Sequence, residues 1–178
     1  MKKICAFVLC LVLMLTCLCA SAENIDIGTG FLIQLTLPGG YSYEVENLGE
    51  DVPLRLVRFL PAGEDGLYMF LYVSYDDSFA GRSYADLSKE EKELLFGAGA
   101  VDMSNPSFSY AETAHGTQLV IVNENSDKDE YVDISTLYQG YFVELMLVKN
   151  DTSVQITDDE IDLAVDMLSD MWFVPVQQ

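Results

Sequence analysis

The chain has 178 residues, with 29 acidic side chains against nine basic ones and a formal net charge of −20. This acidic excess argues against nucleic acid as a ligand and against anionic membrane surfaces, because both are bound through Lys and Arg. The length suits a single domain with its own hydrophobic core, and the sequence contains no internal repeat, linker or low-complexity tract.

The first 22 residues have the pattern of a secretory signal peptide. Two lysines precede an apolar run, Ile4–Leu18, and the small residues Ala20-Ser21-Ala22 suit a signal peptidase. The run is shorter than the roughly 20 residues that span a bilayer, which disfavours a membrane anchor. A lipoprotein anchored at Cys17 or Cys19 is the other alternative, but the Thr and Leu before these cysteines fit a lipid-attachment motif poorly. We expect cleavage after Ala22.

Cleavage there leaves a single domain, residues 23–178, in a secreted or cell-envelope location. All four cysteines (Cys5, Cys10, Cys17 and Cys19) leave with the leader, so the mature chain has no disulfide and no thiolate site. Two of the nine basic residues leave as well, and seven then face 29 acidic ones, a net charge of about −22. We expect a protein or small-ligand partner with a basic surface, and no membrane insertion after cleavage. The alternative is that the charge serves only to keep a secreted protein soluble.

Strand patterns follow in chain order. Six segments read as strands bounded by turn residues: Phe31–Leu37, Leu54–Leu60, Leu67–Tyr75, Ser107–Thr113, Thr117–Asn123 and Tyr131–Leu137. The fourth and fifth look like a hairpin around His115-Gly116. The longest run, Tyr138–Lys149, is apolar on both faces, which predicts a central strand covered on both sides.

Two capping boxes predict helices, one starting at Ser88 and running to about Phe96, the other starting at Thr157. The second helix has apolar residues at helical spacing, and four of them should lie against the sheet: Ile161, Val165, Leu168 and Trp172. Runs of strands without regular helical crossovers predict an α+β fold. We therefore expect a mainly antiparallel β-sheet covered by helices, with the C-terminal helix packed on the sheet.

Four short motifs in this layout resemble the PsbP-like superfamily. They are Leu37-Pro38-Gly39-Gly40-Tyr41, Leu87-Ser88-Lys89-Glu90-Glu91, Tyr138-Gln139-Gly140-Tyr141 and Thr157-Asp158-Asp159-Glu160-Ile161. The resemblance covers roughly residues 31–173 and points to the uncharacterised bacterial secreted branch. It implies an antiparallel sheet between helical layers and a binding or assembly role without catalysis. It transfers no functional residue to this chain.

Catalytic candidates are few. His115 is the only histidine, and Ser107 and Ser109 lie near it in sequence, but no nucleophile elbow of the G-x-S-x-G kind is present. A turn residue is the better interpretation of His115. No catalytic, cofactor-binding or metal-binding residue is therefore predicted, and the chain is expected not to be an enzyme.

Carboxylates are the basis of the alternative, a secreted hydrolase. Adjacent acids such as Glu64-Asp65 and Asp76-Asp77 carry little information in so acidic a chain, because glycosidase chemistry needs two carboxylates facing each other across a cleft. Glu144 differs, since it lies within the apolar central strand. A solvated strand face is the favoured interpretation for Glu144, followed by an ion pair with Arg55 or Arg58 and then by a catalytic acid.

One acidic loop resembles a calcium ligand set. Oxygen-bearing side chains alternate at Asn123, Asn125, Asp127 and Asp129, followed by Glu130. The EF-hand pattern also requires Gly at the sixth position and Glu at the twelfth, where Lys128 and Ile134 stand. A polar hairpin loop is favoured over a calcium site.

The mature chain holds all ten tyrosines. Those in or near strands could form a ligand platform, although packing in the core and on the sheet is favoured: Tyr68, Tyr72, Tyr131, Tyr138 and Tyr141. The favoured function is a secreted, non-catalytic binding or assembly module.

Overall fold

The structure is a computed structural model that describes residues 21–27, 31–46, 54–97, 106–113, 117–124, 132–151 and 153–175. The predicted leader lies outside these ranges apart from its last two residues. Within them the chain forms ten β-strands and two α-helices, and two 3₁₀ turns precede the first helix.

The strands are β1 (Ser21–Asp26), β2 (Phe31–Leu37), β3 (Tyr41–Glu46), β4 (Leu54–Pro61), β5 (Leu67–Tyr75), β6 (Pro106–Glu112), β7 (Gln118–Glu124), β8 (Val132–Tyr138), β9 (Tyr141–Lys149) and β10 (Trp172–Pro175). The helices are α1 (Lys89–Phe96) and α2 (Asp158–Ser169), and the 3₁₀ turns are Asp77–Phe79 and Tyr84–Asp86. The predicted strands and both capped helix starts are confirmed to within a few residues, whereas β1, β3 and β10 were not predicted.

The strands form two antiparallel sheets. The large sheet has seven strands in the order β3-β4-β5-β9-β8-β7-β6, and the small sheet has three in the order β1-β2-β10. The position of β9 in the middle of the large sheet confirms the predicted central strand. The α+β class with a mainly antiparallel sheet is confirmed as well.

The main core lies on one face of the large sheet. Side chains of the small sheet and of α2 meet that face and form one buried cluster, which includes Ile33, Leu35, Phe59, Leu71, Leu145 and Leu168. The second helix packs against β2, and an ion pair between Lys149 and Glu160 joins its first turn to the end of β9. The C-terminal helix therefore covers the core together with the small sheet.

The opposite face is covered in part by α1 and the turn before it. A second cluster of buried residues is found there: Tyr84, Leu87, Phe96, Val120, Val122 and Leu137. Farther along this face, Tyr72 and Met146 of the two middle strands are half-buried. The prediction that both faces of β9 need cover thus holds fully on the core side only.

The run from Tyr138 to Lys149 is not one strand. Gln139 and Gly140 have φ values of 52° and 92°, the positive values that a two-residue type I′ hairpin turn requires. Tyr138 accordingly belongs to β8, and β9 begins at Tyr141. The interpretation failed because Gln-Gly is a weaker turn signal than Asn-Gly and the flanking residues are all aromatic.

The second helix ends at Ser169, earlier than predicted. Trp172 lies in β10 and is 45 % exposed, so its predicted burial against the sheet is wrong. The helix buries Ala164, Met167 and Leu168 instead. Ile161 and Val165 are partly buried against the core, as expected. No helix in the described part of the chain is both long and apolar enough to cross a membrane.

Candidate binding groove

Most residues that the sequence singled out for chemistry do not come together. His115 and four of the five calcium candidates, Asn125, Asp127, Asp129 and Glu130, lie outside the described residues. Ser107 and Ser109 are exposed on β6. Among the residues that the structure describes, no cluster of three or more His, Cys, Asp or Glu side chains could hold a metal.

The two arginines proposed as partners of Glu144 have other partners. Arg58 lies 3.3 Å from the Glu44 carboxylate and 3.6 Å from that of Glu46, both on the neighbouring strand β3. Arg55 points to the other face of the sheet, where its Nε donates to the Ile27 carbonyl at 2.9 Å. The ion pair of Glu144 with either arginine, the second interpretation of that residue, is therefore wrong. Glu144 is exposed on β9, as the favoured interpretation of a solvated strand face predicted.

A pair of carboxylates does occupy the less covered face of the large sheet. Glu144 of β9 lies opposite Ser135 of β8, and Asp133 is two residues away from Ser135 on the same face. Asp133 is only 7 % exposed, and its Oδ1 has no hydrogen-bond partner among the described residues. Burial, and secondly the charge of Glu144, raise the pKa of Asp133 to about 7. Burial also raises the pKa of the partly exposed Glu144.

A groove of about 470 Å³ lies on the same face, between α1 and the edge of the sheet. Its inner part is built by Tyr84, Phe96 and Val120, which belong to the second buried cluster. Its outer wall is built by Phe108 and Tyr110 of β6, which are 47 % and 57 % exposed. The groove thus continues from a buried aromatic floor to an exposed aromatic wall.

Local sequence fixes the helix that forms one side of this groove. Ser88 caps α1 by accepting from the amide of Glu91, and the Glu91 carboxylate accepts from the amide of Ser88. The same carboxylate pairs with both terminal nitrogens of Arg82, at 3.0 and 2.8 Å. The bond to Arg82, and secondly that to the Ser88 amide, lower the pKa of Glu91 to about 2. The helix start is therefore held by a bidentate ion pair as well as by its cap.

The aromatic floor is packed in defined geometry. Phe96 meets the Tyr84 ring edge-on at 5.0 Å between centroids and stacks on Phe142 of β9 at 5.3 Å. Burial, and secondly the nearby Tyr110, raise the pKa of Tyr84. These contacts hold the floor rigid, because aromatic pairs prefer such edge-on and offset arrangements.

The rim of the groove carries cations in a chain that is otherwise strongly acidic. Lys92 places its Nζ 4.6 Å from the centre of the Tyr84 ring, and Lys89 lies 3.5 Å from the Glu93 carboxylate. Lys89, Lys92 and Glu93 all line the groove, so its charged lining has a net charge of about +1. That sign is opposite to the −20 of the whole chain.

Another cavity, of about 280 Å³, is lined by polar residues that include Glu64, Asn150 and Asp151. Its central amide is already used, because Asn150 Nδ2 donates to the Glu64 carbonyl and to the Tyr68 hydroxyl, each at 3.1 Å. This cavity is smaller than the groove beside α1 and has no aromatic residue in its lining, so the groove is the better candidate site.

Four of the five tyrosines highlighted in the sequence are buried or half-buried, as favoured: Tyr68, Tyr72, Tyr138 and Tyr141. Tyr131 lies outside the described residues. Tyr141 is buried and stacks on Phe173, with 4.3 Å between ring centroids, and Tyr138 stacks on the same phenylalanine at 6.0 Å. Sequence reasoning missed the two tyrosines of the groove. Tyr110 could have been found from its place in PSFSYAE, where it lies two residues after Phe108 and therefore on the same face of the strand, with no charge between them.

Comparisons with protein-family models, with curated proteins and with solved structures found no match for this chain. The resemblance to the PsbP-like superfamily therefore stays a prediction from the sequence motifs.

Proposed function

We propose that the chain is an exported, non-catalytic binding module and that the groove between α1 and β6 is its ligand site. The observation that carries the proposal is the aromatic lining of this groove, which reaches solvent at Phe108 and Tyr110. Concave, mostly apolar sites with a few polar groups are typical of ligand pockets. The resemblance to PsbP-like proteins, which implies binding or assembly, points in the same direction.

The lining favours a ligand with an apolar or aromatic body and one acidic group. The body fits the rings of Tyr84, Phe96 and Phe108, and the acidic group fits Lys89 or Lys92 at the rim. A purely anionic ligand without an apolar body is disfavoured, because the acidic remainder of the molecule repels it.

Export is part of the proposal and is compatible with the groove. Cleavage after Ala22 removes the first two residues of β1, and the remaining four, Glu23–Asp26, keep their register opposite β2. The small sheet lies across the core from the groove, on the other face of the large sheet. Processing of the leader therefore leaves the groove intact.

The fluorescent dye 8-anilinonaphthalene-1-sulfonate tests the site, because it combines an aromatic body with one anionic group. We expect the mature protein to bind the dye at one site, and Phe108→Ala and Lys92→Glu each to weaken binding at least tenfold. Trp172→Ala is the matched control, since Trp172 is a similarly exposed aromatic on the small sheet. Near-UV circular dichroism establishes that each variant is folded. Equal binding by all four proteins would remove the groove as the site.

A second candidate function is carboxylate-dependent hydrolysis. It is favoured by the Asp133–Glu144 pair, because a buried carboxyl with a raised pKa can act as a general acid beside an ionised one. The test is turnover of fluorogenic glycosides and esters by the wild type, Asp133→Asn and Glu144→Gln. Turnover that both substitutions abolish would establish the hydrolase, and its absence in the wild type would leave the binding module.

A further inference from the structure

The groove lies beside β6, an edge strand of the large sheet. β6 is the last strand in the sheet order, and no described strand pairs with its outer side. Its register with β7 is continuous over seven residue pairs, from Pro106 opposite Glu124 to Glu112 opposite Gln118. No bulge interrupts β6, so its outer edge presents a regular row of backbone donors and acceptors.

The other edge of the same sheet is protected by charge. Glu44 and Glu46 lie on β3, and both pair with Arg58 of β4. In β6, by contrast, the residues 107–111 are Ser, Phe, Ser, Tyr and Ala, and only Pro106 and Glu112 at its ends are of the kind that blocks edge pairing. Among the described residues, β3 thus carries charges that disfavour pairing with another strand, whereas the middle of β6 carries none.

Exposure distinguishes the middle of β6 from the other strands of the large sheet. Its four residues Ser107–Tyr110 are all exposed, on both faces of the sheet. Phe108 and Tyr110 belong to the face that carries the groove, next to Val120 of β7. A chain lying along this edge would therefore have side-chain pockets on the groove side directly beside its backbone.

We propose that β6 accepts an extended segment of a partner protein as an eighth strand of the large sheet, with alternate side chains of that segment entering the groove beside α1. This inference rests on the proposed function and names the class of ligand. Strand addition draws affinity from main-chain hydrogen bonds and specificity from pockets for alternate side chains, and both elements are adjacent here.

The groove defines the chemistry of the segment. A large apolar or aromatic side chain fits against Phe96 and Phe108, and a carboxylate two positions away lies on the same side of the added strand, toward Lys92. Basic residues flanking the segment complement the net charge of −20 of the whole chain. The occupant is thus a short strand-forming peptide with apolar and acidic side chains on one face and lysines at its ends.

A synthetic peptide of ten residues with this pattern tests the proposal, and two N-methylated versions separate strand addition from simple groove filling. Each version carries methyl groups on one alternate set of amides, so each blocks one edge of the peptide strand. Strand addition predicts that one methylated peptide loses at least tenfold in affinity while the other retains binding. Equal affinities for the two methylated peptides, whether both bind or neither does, would overturn it.

The protein variants are Ser109→Lys, which places a charge in the middle of the edge, and Ser42→Lys on the opposite edge strand β3 as the matched control. We expect Ser109→Lys to weaken peptide binding at least tenfold and Ser42→Lys to leave it unchanged. Dye binding should survive Ser109→Lys, because the groove itself is untouched. If the wild type binds the dye but not the peptide, strand addition is rejected and the groove remains the proposed site. If the wild type binds neither, the groove is rejected as well. A dimer that Ser109→Lys dissolves would assign the edge to a second copy instead.

Discussion

Asp133 is an aspartate whose pKa lies well above the ordinary value for that side chain. It lies between Val122 and Met146 of the two neighbouring strands, where an ionised carboxylate loses its hydration. The charge of Glu144, which lies on the same face of the sheet, also opposes the ionisation of Asp133. The folded protein consequently holds a proton on Asp133 up to a pH of about 7.

This proton makes stability depend on pH in a defined direction. An unfolded chain releases the proton of an aspartate near pH 3.9, so between about pH 4 and 7 the folded state binds more protons than the unfolded one. Stability from this group is therefore full below about pH 4 and is lost progressively as the pH rises to about 7. The loss amounts to about 4 kcal/mol at most.

Asp133→Asn should remove that loss, since the amide cannot ionise. We expect the variant to be more stable than the wild type at pH 8 and the difference to shrink at pH 5. Urea unfolding at both values measures this, with Asp162→Asn, an exposed position on α2, as the control. A variant that is less stable at pH 8 would show that Asp133 is stabilised as a carboxylate.

At the scale of elements, the β8–β9 hairpin depends on Gly140. Its φ of 92° strains any residue with a Cβ, and a Cβ there would lie 2.9 Å from the Tyr75 ring and 3.1 Å from Ala80 Cα. We expect Gly140→Ala to cost about 2–4 kcal/mol, from backbone strain and steric overlap together. Gly63→Ala is the control, because nothing lies within 4 Å of its added Cβ. Thermal or urea unfolding decides, and equal midpoints for the two variants would contradict the turn geometry.

Two adjacent aromatic residues of β10 differ in burial, so their substitution should differ in its effect on stability. Phe173 stacks on Tyr141 at 4.3 Å, whereas Trp172 is 45 % exposed. We expect Phe173→Ala to cost about 2–4 kcal/mol and Trp172→Ala below about 1.5 kcal/mol. Urea unfolding followed by far-UV circular dichroism compares them, and a larger cost at Trp172 would restore its place in the core.

The sequence predicted elements where pattern and local chemistry agree. β2 and β4 have breakers at their ends, Pro38-Gly39-Gly40 and Pro61-Ala62-Gly63, and the boxes at Ser88 and Thr157 mark both helix starts. Prediction from the sequence failed where the local structure depends on contacts between distant parts of the chain. Residues 172–175 pair with β2, on a distant part of the chain, so their strand state has no local signal. The groove was missed for the same reason, since Tyr84 and Tyr110 meet only through folding.

At the scale of the whole molecule, the acidic field should act on encounter rates. The screening length falls from about 10 Å at 0.1 M salt to about 3 Å at 1 M. We expect the association rate of the lysine-flanked peptide to fall markedly over that range while its dissociation rate changes less. Stopped-flow kinetics measures both, and a peptide without the lysines is the control. An association rate that does not change with salt concentration would exclude steering by charge.

The proposed secreted product provides a separate test at this scale. We expect it to begin at Glu23, to contain no cysteine and to unfold at the same urea concentration with and without reductant. Intact mass and N-terminal sequencing of secreted protein decide the first two points. A lipid attached to Cys17 or Cys19 would show that the protein is anchored to a membrane and is not secreted.

The strand order of the small sheet determines when this sheet can be completed during synthesis of the chain. β2 is its middle strand, and it pairs with β10, whose Trp172 lies opposite Gln34, about 140 positions earlier in the chain. Most neighbours in the large sheet are hairpin partners that can meet soon after synthesis, whereas closing so long a loop is slow. A nascent chain therefore keeps Ile33 and Leu35 without one of their neighbour strands until residues 172–175 have been synthesised.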